Sequence, residues 1–183
     1  MLNTERTLID IAKVEDAQLL LNYYQENSDH LSAWEPLRAA DFFTILHWQH
    51  KINELRNAFE KDREYCFVAF NKERSEVLAV CNFSGVNFGP FQACYLGFSV
   101  AKKYEGQGLM FEILAATISY IFEKVGLNRI MANYQPHNLR SEQLLKKLGF
   151  EREGYARCYL NIAGIWQDHI LTSKINDSTT IKY

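Results

Sequence analysis

Three short extended segments follow one another in the middle of this chain and dominate the prediction of its fold. They are "YCFVAF" (Tyr65–Phe70), "VLAVCNFSGV" (Val77–Val86) and "ACYLGFSV" (Ala93–Val100), and all are rich in β-branched and aromatic residues. The short turns "NKERSE" and "NFGP" lie between them. This pattern predicts an antiparallel meander.

Helical and extended patterns alternate around this meander. In chain order, we expect a strand at Thr7–Ile11, helices at Val14–Glu26 and from Asp41 to about Phe59, a helix after Gly108, a strand at Arg129–Tyr134, a helix at Asn138–Leu148, and strands at Tyr155–Ile162 and Ile165–Ile175. The order β-α-α-β-β-β-α-β-α-β-β predicts an α/β fold, a mixed sheet with helices on its faces. We expect a single domain over residues 1–176 and a polar tail over 177–183.

The composition is typical of a globular domain without a broad charged surface. The chain has 183 residues, of which 48% are hydrophobic, and a domain of this size buries about 70% of its unfolded surface. Lys and Arg number 20 against 22 Asp and Glu, which argues against electrostatic binding to nucleic acid or to a membrane. We interpret Cys66, Cys81, Cys94 and Cys158 as reduced core residues, since no C-x-x-C spacing indicates a metal site.

Neither a leader sequence nor an apolar run of the roughly 20 residues that a bilayer requires is apparent, so we expect a cytoplasmic protein.

Two glycines one residue apart, Gly106 and Gly108, precede a strongly amphipathic helix. The free N–H groups of a helix N-terminus attract anions, and glycines let a ligand approach the backbone. Neither a Walker P-loop nor a Rossmann fingerprint is present. From these residues alone, both a phosphate site and an ordinary tight turn remain open.

The wider arrangement resembles a known family. A strand, K-x-x-G-x-G (Lys103, Gly106, Gly108), an amphipathic helix, a strand and a second helix ending in "LGF" resemble the Gcn5-related N-acetyltransferase (GNAT) family, whose loop more often begins with Gln or Arg. Further segments resemble the RimJ-type family of bacterial ribosomal-protein-alanine N-acetyltransferases: "HLSAWEP", "ACYLGFSV", "GQGLMFE", "RIMANYQPHNLRS", "LGFEREGYA" and "WQDHILT". The resemblance covers essentially the whole chain. It implies a mixed, mostly antiparallel sheet of about six to seven strands with helices on both faces and a splayed central strand pair.

The resemblance also implies acetyl-CoA as the cofactor, with CoA as a product. The diphosphate would lie on the amides from Glu105 to Met110, where the helix dipole favours negative charge. The strand Tyr95–Val100 would hold the pantetheine and the thioester, and one of its amides would donate to the developing oxyanion. The implied cofactor contacts are Phe98, Ser99, Val100, Lys103, Glu105, Gly106, Gln107, Gly108, Leu109, Met110, Asn133, Asn138 and Ser141.

Catalytic roles follow from the same resemblance. Asn138, at the expected N-cap of the second helix, would bind the pantetheine or diphosphate, and the Ser141 hydroxyl would donate to the CoA thiolate. Ordinary helix capping is the preferred explanation of both from the residues alone. Glu35, in "WEP", is the first candidate for the base because its loop should border the acceptor groove.

Other acids and aromatic residues compete for the base and acceptor roles. Glu153, Asp168 and His137 are alternative bases, and each also has a structural explanation: a solvated loop acid, a strand cap or partner of Arg157, and a residue after a proline turn. Trp34, Glu35, Tyr134 and Tyr155 are the candidate acceptor-binding residues. Trp34 either walls a slot for a small N-terminal residue or anchors its loop. Tyr134, Tyr155 and Tyr159 are equally compatible with packing.

The implied reaction is acetyl transfer to the N-terminal α-amine of a protein, with alanine of a small-subunit ribosomal protein as the acceptor. Two alternatives remain open. The acceptor is a small amine such as an amino acid, polyamine or antibiotic, or the chain is a non-catalytic acyl-CoA-binding or ribosome-associated module. We expect no direct nucleic-acid binding, no membrane binding, and a monomer or homodimer.

Overall fold

The computed structural model describes residues 1–177, so nearly all of the predicted tail at 177–183 lies outside the described residues. The strands are β1 (Leu2–Asn3), β2 (Leu8–Ile11), β3 (Tyr65–Phe70), β4 (Val77–Asn87), β5 (Ala93–Val100), β6 (Arg129–Met131), β7 (Glu151–Ile162) and β8 (Ile165–Ile175). The α-helices are α1 (Ala17–Glu26), α2 (Ser28–Leu31), α3 (Ile45–Glu60), α4 (Leu109–Tyr120) and α5 (Leu139–Lys147). Short 3₁₀ turns occupy Val14–Asp16, Ala40–Phe43 and Lys102–Tyr104, and a π-helical turn, Ile121–Val125, extends α4. Among the described residues, no helix is both long and apolar enough to cross a membrane.

The strands form one sheet in the order β1-β2-β3-β4-β5-β6-β8-β7. Among the strands that the structure describes, only β5 and β6 run parallel. The other neighbours are antiparallel, and β3, β4 and β5 form the predicted meander. The eight described strands exceed the predicted six or seven, in part because the two residues of β1 are too few to show a periodicity.

Two predicted strand bounds are wrong, one at β6 and one at the edge strand β7. β6 ends at Met131 rather than at Tyr134, although the amides of Ala132 and Tyr134 still donate to carbonyls of β8. β7 begins at Glu151 rather than at Tyr155, and a bulge between Arg152 and Gly154 interrupts its register with β8. The bulge breaks the alternation of side chains on which the prediction depended.

Helices cover both faces of the sheet, as predicted. α4 and α5 bury Ile113, Leu114 and Leu145 in one core cluster, and α1 and α3 bury Leu20 and Ile52 in the other. The sheet is therefore the middle layer of three. A site at the centre of the sheet can be reached from either side only where the helices leave a gap.

Local capping explains where two helices begin and end. α3 begins at Ile45 rather than Asp41 because Thr44 is extended and its hydroxyl accepts a hydrogen bond from the His47 amide (3.2 Å). α5 ends as predicted. Gly149 has a φ of +82°, and the amide of the buried Phe150 donates to the Leu145 carbonyl (3.0 Å).

Candidate active site

The glycine loop lies before α4 in a conformation that leaves its amides open. Gly106 and Gly108 have φ values of +72° and +74°, and Gly108 is the N-cap of α4. A Cβ at Gly106 would meet no atom within 4 Å, so this part of the loop faces open space. Leu109 and Met110 bury their side chains and begin the helix. Their amides therefore belong to the free first turn, which carries partial positive charge.

The centre of the sheet opens beside this loop. β5 pairs with β6 only from Ala93 to Tyr95, whereas its pairing with β4 continues to Val100. Residues 96–100 therefore have a free edge on the side that β6 has left. The predicted splayed strand pair is confirmed.

Of the three predicted donors on β5, two have amides that point into this gap. The Ala101 amide donates to the Leu78 carbonyl on the β4 side (2.9 Å). N–H directions alternate along a strand, so Ser99 also directs its amide to β4, while Phe98 and Val100 direct theirs to the gap. The predicted oxyanion or pantetheine donors are thus reduced to Phe98 and Val100. The Ser99 hydroxyl is hydrogen-bonded to the Tyr23 hydroxyl (2.8 Å).

The N-terminus of α5 lies beside the same gap. The Asn138 side-chain oxygen accepts a hydrogen bond from the Ser141 amide (3.1 Å), so Asn138 is the N-cap. This bond leaves the NH₂ group of Asn138 and the hydroxyl of Ser141 available to a ligand. Capping and ligand binding, the two explanations considered for these residues, are therefore compatible.

A cavity of about 1010 Å³ borders the gap and extends beneath α3 and the loop that follows α2. Its lining includes Trp34, Glu35, Tyr95, Gly97, Phe98, Ser99, Asn133, Tyr134, Asn138, Ser141, Tyr159 and His169. A Cβ at Gly97 would meet no atom within 4 Å, so the space beside this residue is open. The structure thus brings the predicted acceptor residues Trp34, Glu35 and Tyr134 to the same cavity as Asn138 and Ser141.

Several lining residues already have partners. The Glu35 carboxylate accepts hydrogen bonds from Arg38 at 2.6 and 3.2 Å. Trp34 packs against His137 in a tilted arrangement, with ring centroids 5.4 Å apart. The side-chain amide of Asn133, a predicted cofactor contact, donates to the Tyr159 hydroxyl (3.1 Å) and accepts from the backbone amide of Thr172 (3.2 Å). Both its nitrogen and its oxygen therefore already have partners within the protein.

Three other candidates lie away from the cavity. Tyr155 donates to Asp168, which also accepts from the Cys158 amide (2.8 Å), and both line a separate cavity of about 480 Å³ with Trp166. Glu153 is paired with Arg129 and accepts a hydrogen bond from Ser173 (2.7 Å). Glu153 lies in the bulge of β7 between Arg152 and Gly154, where the strand alternation is interrupted, and the sequence pattern does not reveal this bulge.

Charged residues around the glycine loop are mutually paired. The Lys103 ammonium lies 2.6 Å from the Glu76 carboxylate, which raises the pKa of Lys103. Glu105 contacts Lys102 (3.0 Å), Arg140 (2.5 Å) and His30 (3.5 Å). Burial alone would raise the pKa of Glu105, but these hydrogen bonds and charges lower it. The predicted contacts Lys103 and Glu105 therefore organise the loop through their side chains, and Gln107 does so by donating to the Lys103 carbonyl (2.7 Å).

Arg6, which the sequence pattern does not single out, contacts both the glycine loop and the first turn of α4. Arg6, in the turn between β1 and β2, contacts the Glu112 carboxylate through its amide (2.9 Å) and its Nε (2.6 Å). Its guanidinium also donates to the Gln107 carbonyl (3.0 Å). The contacts span more than 100 residues of sequence, and no local pattern marks them.

These features fit acetyl-CoA. The open amides at the start of α4 suit a diphosphate, and the free edge of β5 suits an amide-containing arm that passes through the sheet. The cavity beyond the gap has room for an acceptor. Among the described residues, no group of three or more His, Cys, Asp or Glu is arranged to hold a metal ion.

Comparison with known proteins agrees with this geometry. Residues 6–151 match the family described as "Acetyltransferase (GNAT) domain". The [ribosomal protein uS5]-alanine N-acetyltransferase of Escherichia coli is 43% identical over 172 residues, which cover 94% of this chain and 89% of that protein. The crystal structure of a ribosomal-protein-S5-alanine acetyltransferase from Vibrio fischeri superposes with a TM-score of 0.93 at 37% identity, covering 97% of each chain.

A more distant structure, Mycobacterium smegmatis RimJ in complex with CoA-disulfide, has a TM-score of 0.88 at 24% identity, covering 97% of this chain and 88% of that one, and supports the fold. The family match spans most of the chain, and the Vibrio fischeri structure has the same overall fold. The chain therefore belongs to the GNAT family of acetyl-CoA-dependent N-acetyltransferases.

Proposed function

We propose that this chain transfers the acetyl group of acetyl-CoA to the N-terminal α-amine of a ribosomal protein of the small subunit, with alanine as the first residue. The observation that carries the proposal is the gap between β5 and β6. This gap borders a cavity of about 1010 Å³ that is lined by both acceptor and cofactor candidates, and β5 leads from it towards the glycine loop before α4.

The charges of the cavity favour an α-amine over a polyamine. Three carboxylates stand among its described lining residues: Glu35 and Glu54 are paired with Arg38 (2.6 Å) and Lys51 (3.3 Å), and Glu64 accepts a hydrogen bond from the Asn82 side chain (2.6 Å). A polyamine carries several positive charges and needs unpaired carboxylates spaced along its length. An α-amine, with a reference pKa of about 7.7 to 8.0, is partly neutral near pH 7 and can attack without such a cluster.

The chain's residues then have defined tasks in the reaction. The amides of Leu109 and Met110 hold the diphosphate, and those of Phe98 and Val100 hold the arm and donate to the oxyanion that forms on the acetyl carbonyl. Ser141 donates a proton to the departing sulfur.

Ser141→Ala should lower kcat more than it lowers the affinity for acetyl-CoA, and equal losses would make Ser141 only a binding group.

The test is acetyl transfer to a peptide that begins with alanine, with the modified atom located by mass spectrometry. The matched control is the same peptide blocked at its N-terminus but with its lysines intact, alongside spermidine and free alanine. We expect acetylation of the unblocked peptide at its α-amine alone. Turnover of small amines alone would reject a protein acceptor, and binding of CoA without turnover of any amine would indicate a non-catalytic module.

A further inference from the structure

His169, on β8, lies at the wall of the main cavity but belongs to none of the groups discussed so far. Its neighbour Ile170 packs into the core formed with α4 and α5. Successive side chains of a strand point to opposite faces, so His169 faces the other side of the sheet, where the acceptor cavity lies. Its exposed fraction is 4%, and the cavity that it lines is the one lined by Trp34 and Ser141.

The hydrogen bonding of the ring defines its tautomer. Nδ1 lies 3.1 Å from the Gln167 carbonyl oxygen, which can only accept. Nδ1 therefore carries the hydrogen, and Nε2 of the neutral ring has a free lone pair. Within residues 1–177, Nε2 has no hydrogen-bond partner. A buried imidazole oriented at one nitrogen and free at the other is arranged to accept a proton.

The surroundings keep this ring neutral. Burial lowers the pKa of His169, and this effect outweighs the Gln167 carbonyl and the charge of Asp168, which act in the opposite direction. The Asp168 carboxylate is itself occupied by the Tyr155 hydroxyl and the Cys158 amide. From β7, the Tyr159 ring faces His169 at 5.5 Å, and burial and Tyr95 raise the pKa of its hydroxyl, so it is uncharged.

We propose that Nε2 of His169 is the general base that takes the proton from the acceptor amine. The amine nitrogen attacks the thioester carbon, the new C–N bond forms, and the nitrogen's proton passes to Nε2. The C–S bond then breaks, and the thiolate takes a proton through Ser141, which is replenished from water. The proton on His169 returns to solvent, so the net products are the acetylated amine and CoA. This inference rests on the proposed function.

The first base candidate from the sequence, Glu35, is less available for this task. Its carboxylate is held by Arg38, whose guanidinium also lies over the Phe42 ring with its centre 4.4 Å from the ring centroid. A carboxylate that gives up this pair in order to accept a proton loses a charge-assisted hydrogen bond. Nε2 of His169 has no such bond to lose.

Two substitutions separate catalysis from support of the backbone. His169→Asn retains an N–H near the position of Nδ1 for the Gln167 carbonyl but has nothing at Nε2. His169→Gln places its amide near Nε2 but cannot take up a proton. We expect both variants to lower kcat by roughly 10²-fold, at the lower end of the usual effect of a general base, with the affinity for CoA unchanged.

A pH profile of kcat gives a readout that a structural role would not move. The acid limb of the wild-type profile that arises from His169 should lie below the ordinary histidine value and should be absent in His169→Asn. If His169→Asn keeps wild-type kcat and only His169→Gln loses it, the ring merely supports the strand and the proposal is overturned. If Glu35→Gln loses kcat while both His169 variants retain it, Glu35 is the base.

The assay uses the amine that the wild-type protein acetylates fastest. A preferred acceptor other than a peptide would therefore reject the proposed protein substrate while leaving the comparison of His169 variants valid. A wild-type protein that acetylates no amine would overturn both.

Discussion

Asn138 uses one half of its side-chain amide to cap α5, and the other half is available to the cofactor. Replacing Asn138 with Ser keeps an oxygen that can accept from the Ser141 amide, and serine caps helices about as well as asparagine. We therefore expect unchanged thermal stability but weaker CoA binding. Asn138→Ala is the control, and it should also lose about 1 kcal/mol of stability. Equal CoA affinity in Asn138→Ser and the wild type would show that Asn138 only caps the helix.

Gly108 tests the diphosphate site at the same scale. It combines a φ of +74° with a position at the start of α4. Gly108→Val should weaken CoA binding because a side chain blocks the approach of the ligand to the amides. Gly126→Val is the matched control, since Gly126 has a φ of +80° at the other end of the same helix and a Cβ there meets nothing within 4 Å. Both variants carry a strain of roughly 1–2 kcal/mol, and calorimetric titration with CoA should separate them.

Among the elements, the turn between β1 and β2 supports the start of α4. Arg6 holds both the Glu112 carboxylate and the Gln107 carbonyl. Glu112 places a negative charge in the first turn of α4, close to where the diphosphate is expected, and Arg6 neutralises it.

We therefore expect Arg6→Ala to raise the KM for acetyl-CoA while leaving turnover of S-acetylpantetheine, which has no diphosphate, unchanged. Arg6→Lys keeps the positive charge but not the two-point contact, so its KM for acetyl-CoA should lie between those of the wild type and Arg6→Ala. A similar loss with both acetyl donors would mean that Arg6 only stabilises the fold.

For the whole molecule, the shifted pKa values predict how stability depends on pH. His169 has a pKa below its ordinary 6.5 in the folded state, so the unfolded chain binds more protons as the pH falls below about 6.5, and stability decreases there. The lowered pKa values of Glu105, Glu112, Glu153 and Asp168 add stability above about pH 4 that is lost in stronger acid.

Urea unfolding at a series of pH values measures both transitions. His169→Asn should flatten the dependence just below about pH 6.5 and leave the acid loss below about pH 4 intact. An unchanged slope in this variant would show that His169 titrates alike in the folded and unfolded chains.

The sequence by itself determined the local features of this protein. The meander from Tyr65 to Val100, the amphipathic α4 after Gly108 and the end of α5 at Gly149 all follow from periodicity or from a required positive φ. Each of these patterns lies within a few neighbouring residues, so it can be recognised without knowledge of contacts elsewhere in the chain. The resemblance of the glycine loop to the GNAT family added the cofactor.

Only the tertiary structure decided how these pieces meet at the site. In the folded chain, β6 ends at Met131, so the sheet opens beyond it, and Tyr155 lines a separate cavity. Arg6 contacts Glu112, and His169 lines the main cavity. Each of these depends on bulges, strand register or contacts between distant residues. Such relations leave no periodic trace in the sequence because their energy comes from side chains that meet only when the chain is folded.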